Sequence, residues 1–232
     1  MFNDISTLLQ VFLLCFTSLL IHIVTSNPNV ISTNDYVPYE GISLSFVSRI
    51  APKIGKLLIW TSTLYQTLYL LLRMFSPTSI SIFFPQISTS LDLLQFNPMS
   101  MIGYILIIVG GLGRIWCYRT LGAFFTFEVT IRSTHKLIKT GPYAYVRHPS
   151  YTFVCILICG ILLIHQRLTD FFPNQTWLKV MYSPIGILMF HLFVMVIVAR
   201  RVKFEEEELA KKFGSEWTQY ALKRKRYIPK II

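Results

Sequence analysis

The chain has 232 residues, 53% of them hydrophobic and only 14% charged, with a mean hydropathy of +0.53. That balance argues against a soluble domain, which rarely carries so few charges for so much apolar surface. The net charge of +11 would suit nucleic acid, but the basic residues are clustered rather than spread, and no nucleic-acid partner is expected.

Five apolar runs are long enough to cross, or nearly cross, a bilayer: 8–24, 57–72, 101–118, 151–166 and 180–199. The first has no basic stretch before it, since Asp4 is the only charge there, and no clear small-residue cleavage site follows. It reads as a retained helix rather than a signal peptide. The second run is interrupted by Thr, Ser and Gln, and the fourth is short. Residues 25–53, with Pro28, Pro38 and Pro52, form a polar connection. Residues 76–98, with Pro77, Pro85 and Pro98 around Phe83 and Phe84, suit an interfacial loop.

On this five-helix arrangement 19 of the 22 Lys and Arg fall on one side, leaving Arg73, Arg167 and Lys179 on the other. The positive-inside rule then puts residues 119–150 and the tail in the cytosol, where a basic face also suits membrane lipids with anionic headgroups. Asn174-Gln175-Thr176 is a glycosylation sequon on the opposite side. Cys15, Cys117, Cys155 and Cys159 lie in or beside apolar runs without ligand or disulfide spacing, and His22, His165 and His191 show none either. No metal is expected.

The Gly110-Gly111-Leu112-Gly113 stretch lies inside a span, where close helix packing explains it better than phosphate binding. No P-loop occurs, and no GxGxxG follows a strand. Arg114 is an intramembrane charge: a functional residue by default, or one that snorkels to the nearby surface.

Two segments are too polar and too patterned to be mere connections. In 119–151, Gly141-Pro142 signals a turn, and Pro149 suits the first turn of a helix. A helix start offers free N–H groups, and Arg147, His148, Tyr143, Tyr145 and Tyr151 add donors and flat rings. Such a place could hold a ligand with a polar end and an aromatic ring; an interfacial belt of Tyr, Arg and His is the plain alternative. In the tail, Arg201 and Glu205 share a helix face at i,i+4, an arrangement that also serves as ordinary helix support. Beyond them Leu209, Phe213, Trp217 and Tyr220 form an apolar stripe for the bilayer or the 119–151 loop, and Lys211-Lys212 before Gly214 marks a helix end.

The run His135-Lys136-Leu137-Ile138, then Gly141-Pro142-Tyr143, then Arg147-His148-Pro149-Ser150-Tyr151 resembles the core motif of the isoprenylcysteine carboxyl methyltransferases. Arg201, Glu205, Glu206, Leu209, Phe213, Gly214, Glu216, Trp217 and Tyr220 resemble their second motif, and Leu121-Gly122 with Phe125-Thr126 fits upstream. The likeness covers about half the chain, residues 110–229.

This resemblance implies an all-α integral membrane protein of the endoplasmic reticulum, with about five transmembrane helices. Residues 1–118 would be N-terminal spans and 119–232 the catalytic region, with a cytosolic pocket formed by the 119–151 loop and the helical tail. It implies an enzyme that uses S-adenosylmethionine to methylate the C-terminal carboxylate of prenylated cysteine, with prenylated protein C-termini as partners. Cofactor-binding positions would be Glu128, His135, Lys136, Leu137, Ile138, Tyr143, His148, Pro149, Ser150, Tyr151 and Glu205. Arg201 would face the substrate and act with Glu205 in catalysis.

Phe153, where many members have glycine, could narrow the entrance near the cofactor, and Lys223 replaces a common arginine. A phospholipid N-methyltransferase is the nearest rival, followed by an NADPH-dependent sterol reductase-like protein and a non-catalytic adaptor.

Overall fold

The structure, a computed structural model, describes residues 2–29, 49–84, 97–128, 134–166, 168–172 and 174–229. Much of the 25–53 connection, the middle of 76–98 and residues 129–133 lie outside these. All five apolar runs are helical: α1 (Phe2–Val24), α2 (Ala51–Phe75), α3 (Pro98–Leu121), α4 (Pro149–His165) and α5 (Pro184–Phe213). A sixth, α6 (Ser215–Lys223), follows. No named strand occurs among the described residues.

Among the described residues three helices are long and apolar enough to cross a membrane: α1, α3 and α5. The 17-residue α4 is shorter, and α2, though 25 residues long, is diluted by polar side chains. The chain is a multi-pass membrane protein.

Contacts between helices fix their directions. Ser18 meets Thr63 at 2.6 Å and Trp60 Nε1 donates to His22 Nδ1 at 3.2 Å, so α2 runs antiparallel to α1. Gly111 lies against Leu20, and Arg114 reaches Val24, so α3 runs parallel to α1. Cys159 meets His191 at 2.8 Å while Tyr151 meets Glu205, so α5 runs antiparallel to α4.

The α3–α4 seam is the most extensive contact in the molecule and is made of glycine. A Cβ on Gly160 would lie 2.6 Å from Gly103 O, and one on Gly110 would lie 2.7 Å from Leu157 N. Backbones approach this closely only where side chains are absent, the expected use of glycine in membrane helices. Phe153 belongs to the same seam: its ring occupies the space a Cβ on Gly113 would need. The large residue on α4 is matched by a missing one on α3.

The alternation brings the C-terminal ends of α1 and α3, the N-terminal ends of α2 and α4 and the last third of α5 to one end of the bundle. At the other end Tyr65, Tyr69, Phe84 and Phe171 form an aromatic cluster, with Tyr69 and Phe171 ring centres 5.1 Å apart. The helix α5 continues without a break past its apolar part. Gly214, at φ +53, stops it in a conformation that side chains disfavour, after Lys211 and Lys212 in the last turn.

Candidate functional site

Residues 134–151 and the tail meet at the polar end of the bundle. His148 is the N-cap of α4 and Pro149 its first residue, as the sequence predicts. Arg147 and His148 turn their backbone N–H groups toward the tail, donating to Lys225 O at 2.8 Å and Arg226 O at 2.9 Å. Val146 and Lys225 form an isolated parallel bridge there. Thr152 Oγ1 adds a bond to Tyr227 O at 3.0 Å.

The apolar stripe of the tail lies on the loop. Trp217 and Tyr220 are buried, and the Phe213 ring lies 5.9 Å from that of His135. Tyr220 donates its hydroxyl to Tyr143 O at 2.7 Å; burial pushes this phenol up to about 12, so it stays a donor at neutral pH. Lys139 pairs with Glu216 at 2.7 Å.

Two adjacent carboxylates organise the centre. Glu205 Oε1 accepts from Arg201 Nε at 2.9 Å and from the Tyr151 hydroxyl at 2.5 Å, while its Oε2 lies 3.6 Å from His148 Nδ1. Glu206 accepts from Arg226 Nη2 at 2.8 Å, lies 3.1 Å from His148 Nε2, and pairs with Arg147 Nη1 at 3.3 Å. The His148 ring is thus held between both carboxylates. Arg201 is buried, and its Nη2 donates to Phe127 O. Its Nε and Nη2 are thus both engaged.

The remaining expected cofactor positions are less uniform. His135 stacks on Phe124 with ring centres 4.6 Å apart. Leu137 and Ile138 are half-buried and Lys136 is exposed. Tyr143, Pro149 and Ser150 are buried, and desolvation holds the Tyr143 phenol well above its ordinary value. Glu128 is engaged elsewhere: both its oxygens accept from Arg49, at 2.6 and 3.0 Å. Sequence reasoning missed the part played by Glu206, because a run of four glutamates reads as a solvated face. It also missed Lys225 and Arg226, whose basic stretch carries no pattern that points to a partner. Among the described residues no group of three His, Cys, Asp or Glu could hold a metal.

Glu205 keeps one oxygen with only a long contact to His148, available to an ammonium group. The half-buried Leu137 and Ile138, with the stacked His135, provide apolar and aromatic surface in the same loop.

Residues 101–181 match the model of the isoprenylcysteine carboxyl methyltransferase family, so the resemblance read from the motifs holds over that stretch. Over 142 residues the chain is 27% identical to a probable protein-S-isoprenylcysteine O-methyltransferase of Oryza sativa subsp. indica, covering 60% of this chain and 66% of that one. It is 30% identical to protein-S-isoprenylcysteine O-methyltransferase B of Arabidopsis thaliana, with 60% and 61% covered. The protein-S-isoprenylcysteine O-methyltransferase of Saccharomyces cerevisiae is 26% identical, with 60% and 53% covered. The chain thus spans between about half and just under two-thirds of these relatives.

Proposed function

We propose that the chain is a membrane methyltransferase that esterifies the C-terminal carboxylate of a prenylated cysteine, with S-adenosylmethionine as donor. The observation that carries this reading is the Arg201–Glu205–Tyr151 unit. It holds a buried guanidinium and a carboxylate beside the start of α4, where the apolar bundle ends.

The bound donor would supply an electrophilic methyl group on its sulfonium. The acceptor carboxylate is ionised at neutral pH, so no general base is required of the protein. What the chain must provide is alignment of nucleophile and methyl group, the larger source of intramolecular advantage.

Arg201 can meet the acceptor through the part of the guanidinium that is committed neither to Glu205 nor to the Phe127 carbonyl. A two-donor fork onto the carboxylate would form where Nη2 exchanges the Phe127 carbonyl for the acceptor. Glu205 has the opposite task, receiving the donor's ammonium on Oε2 while Oε1 keeps Arg201 in place. His148 and Tyr151 orient Glu205. The prenyl chain would lie along the membrane part of α4 and α5, whose facing sides are only partly covered. The endoplasmic reticulum membrane, with the tail cytosolic, is the location consistent with this reading and with the basic charge at the site end.

The test is methylation of N-acetyl-S-farnesylcysteine by purified protein, with phosphatidylethanolamine in parallel. Methyl ester formation on the prenylcysteine supports the reading. Methylation of the amine lipid alone would replace it with the phospholipid alternative, in which a cationic acceptor would have to face Arg201.

A further inference from the structure

Arg114 sits inside α3, roughly two turns before the helix ends, at a depth where a charge is costly and rarely kept without a role. Its head does not reach for the surface. The residue is 8% exposed. Its Nε donates to Val24 O at 3.1 Å and to the Tyr118 hydroxyl at 2.8 Å, and Nη1 lies 3.4 Å from Ser150 Oγ. The guanidinium carbon lies 5.1 Å from the Tyr118 ring centre, 5.5 Å from Phe127 and 6.0 Å from Phe125. Among the described residues no carboxylate pairs with it, whereas Glu128, Glu205 and Glu206 each hold an arginine.

The partners explain why a guanidinium is kept here rather than an apolar side chain. Val24 O, at the end of α1 and without a helical partner, accepts from both Arg114 Nε and the Tyr118 hydroxyl, and a cation suits that helix end. Ser150 is in the first turn of α4, next to Tyr151, which bonds Glu205. Phe127 presents its ring to Arg114 and its carbonyl to Arg201. One side chain therefore touches the end of α1, the start of α4 and the segment that holds Arg201.

We propose that Arg114 is a positioning residue for the methyl-transfer site. It locks the first turn of α4 and the 125–127 segment against the end of α1, so that Tyr151, Glu205 and Arg201 keep one relative placement. The proposal rests on the methyltransferase reading for its kinetic consequence, but not for its structural one. It also makes α1, which lies outside the stretch matched by the family, a working part of the site. A lysine cannot replace Arg114, because its compact head cannot serve Val24, Ser150 and three ring faces together.

The experiment compares wild type, Arg114→Met and Arg114→Lys as full chains purified in detergent. It measures thermal stability, equilibrium affinity for S-adenosylhomocysteine, kcat and KM for N-acetyl-S-farnesylcysteine, and amide exchange along α4. In both variants exchange is expected to accelerate at residues 151–153 and to stay unchanged at 157–161. S-adenosylhomocysteine affinity should fall several-fold. kcat should drop by on the order of 100-fold, the cost of roughly 1 Å of misplacement, with a smaller change in KM. If Arg114→Met does not fold, Arg114→Lys decides. Unchanged affinity, kcat and local exchange per folded molecule would overturn the proposal, even with a lowered Tm. Accelerated exchange and weakened binding in a chain whose wild type methylates no prenylcysteine would instead sink the functional reading and leave Arg114 as proposed.

Discussion

Tyr151 and Arg201 donate to the same oxygen of Glu205, at 2.5 and 2.9 Å, although the tyrosine opens α4 and the arginine lies in α5. One carboxylate atom therefore fixes the separation of two helices that otherwise touch sparingly. Any change at Glu205 is felt by both neighbours, and this governs what variants at the site should do.

Arg201→Ala should abolish methyl transfer to N-acetyl-S-farnesylcysteine while leaving S-adenosylmethionine binding largely intact. Truncating one partner of a desolvated charge pair costs about 2–5 kcal/mol. Arg201→Lys should recover little, because a compact ammonium cannot bond Glu205, the Phe127 carbonyl and the acceptor together. Binding and turnover measured on the same preparation check this; substantial turnover by either variant would remove Arg201 from acceptor binding.

Glu205→Gln is expected to show the reverse order, with cofactor affinity weakened first. The amide retains the shape but no longer attracts an ammonium group. It also leaves the buried Arg201 without a carboxylate, a situation that costs several kcal/mol when uncompensated. Titration calorimetry together with thermal melting separates the two effects. A variant with normal affinity and a lowered Tm would confine Glu205 to a structural part.

Glu206→Ala should destabilise the junction of loop and tail more than Arg226→Ala does. Glu206 is 11% exposed and serves Arg147, His148 and Arg226, whereas the Arg226 side chain is 47% exposed. Exposed ion pairs contribute about 0–1 kcal/mol, while stranding buried cations costs several times more. Melting curves of the two variants, read side by side, provide the comparison; equal losses would show that His148 and Arg147 do not depend on Glu206.

Gly160→Val should separate α3 from α4. Even the Cβ would meet Gly103 O at 2.6 Å and Ile107 N at 2.8 Å, and backbone cannot rotate away. Overpacking of this kind costs about 1–3 kcal/mol or more. The expected result is a lower melting temperature in detergent with reduced methyl transfer. Gly55→Ala, where nothing lies within 4 Å of the added carbon, is the matched control and should melt as wild type.

The helices and the glycine seam were legible because apolar length and small residues are local signals. The pairing of Arg201 with Glu205 was equally legible, being an i,i+4 relation. His148 at a helix start followed from Pro149. Less could be read where partners are distant in the chain. Glu206 meets His148 across 58 residues, and Tyr220 reaches Tyr143 across 77. Neither relation leaves a periodicity. The direction of Arg114 was open for the same reason, since depth in a helix does not say which way a long side chain turns. Phe153 stood out in the sequence as a residue that could narrow the entrance near the cofactor; that its ring fills the space above Gly113 depends on a partner forty residues away.

The unbroken α5 is a 30-residue rod about 45 Å long, with Ile185 near one end and Glu205 in its last third. Its first part is apolar and suited to lipid, and its last part bears Arg201 and Glu205, with no break in the helix between. On the proposed methyltransferase reading, bilayer thickness therefore becomes a setting of activity. A membrane that is too thick must draw Arg201 and Glu205 down toward acyl chains, or force α5 to tilt. Methyl transfer in vesicles of graded acyl length should pass through a maximum, whereas a site floating on a flexible tether would give a flat profile.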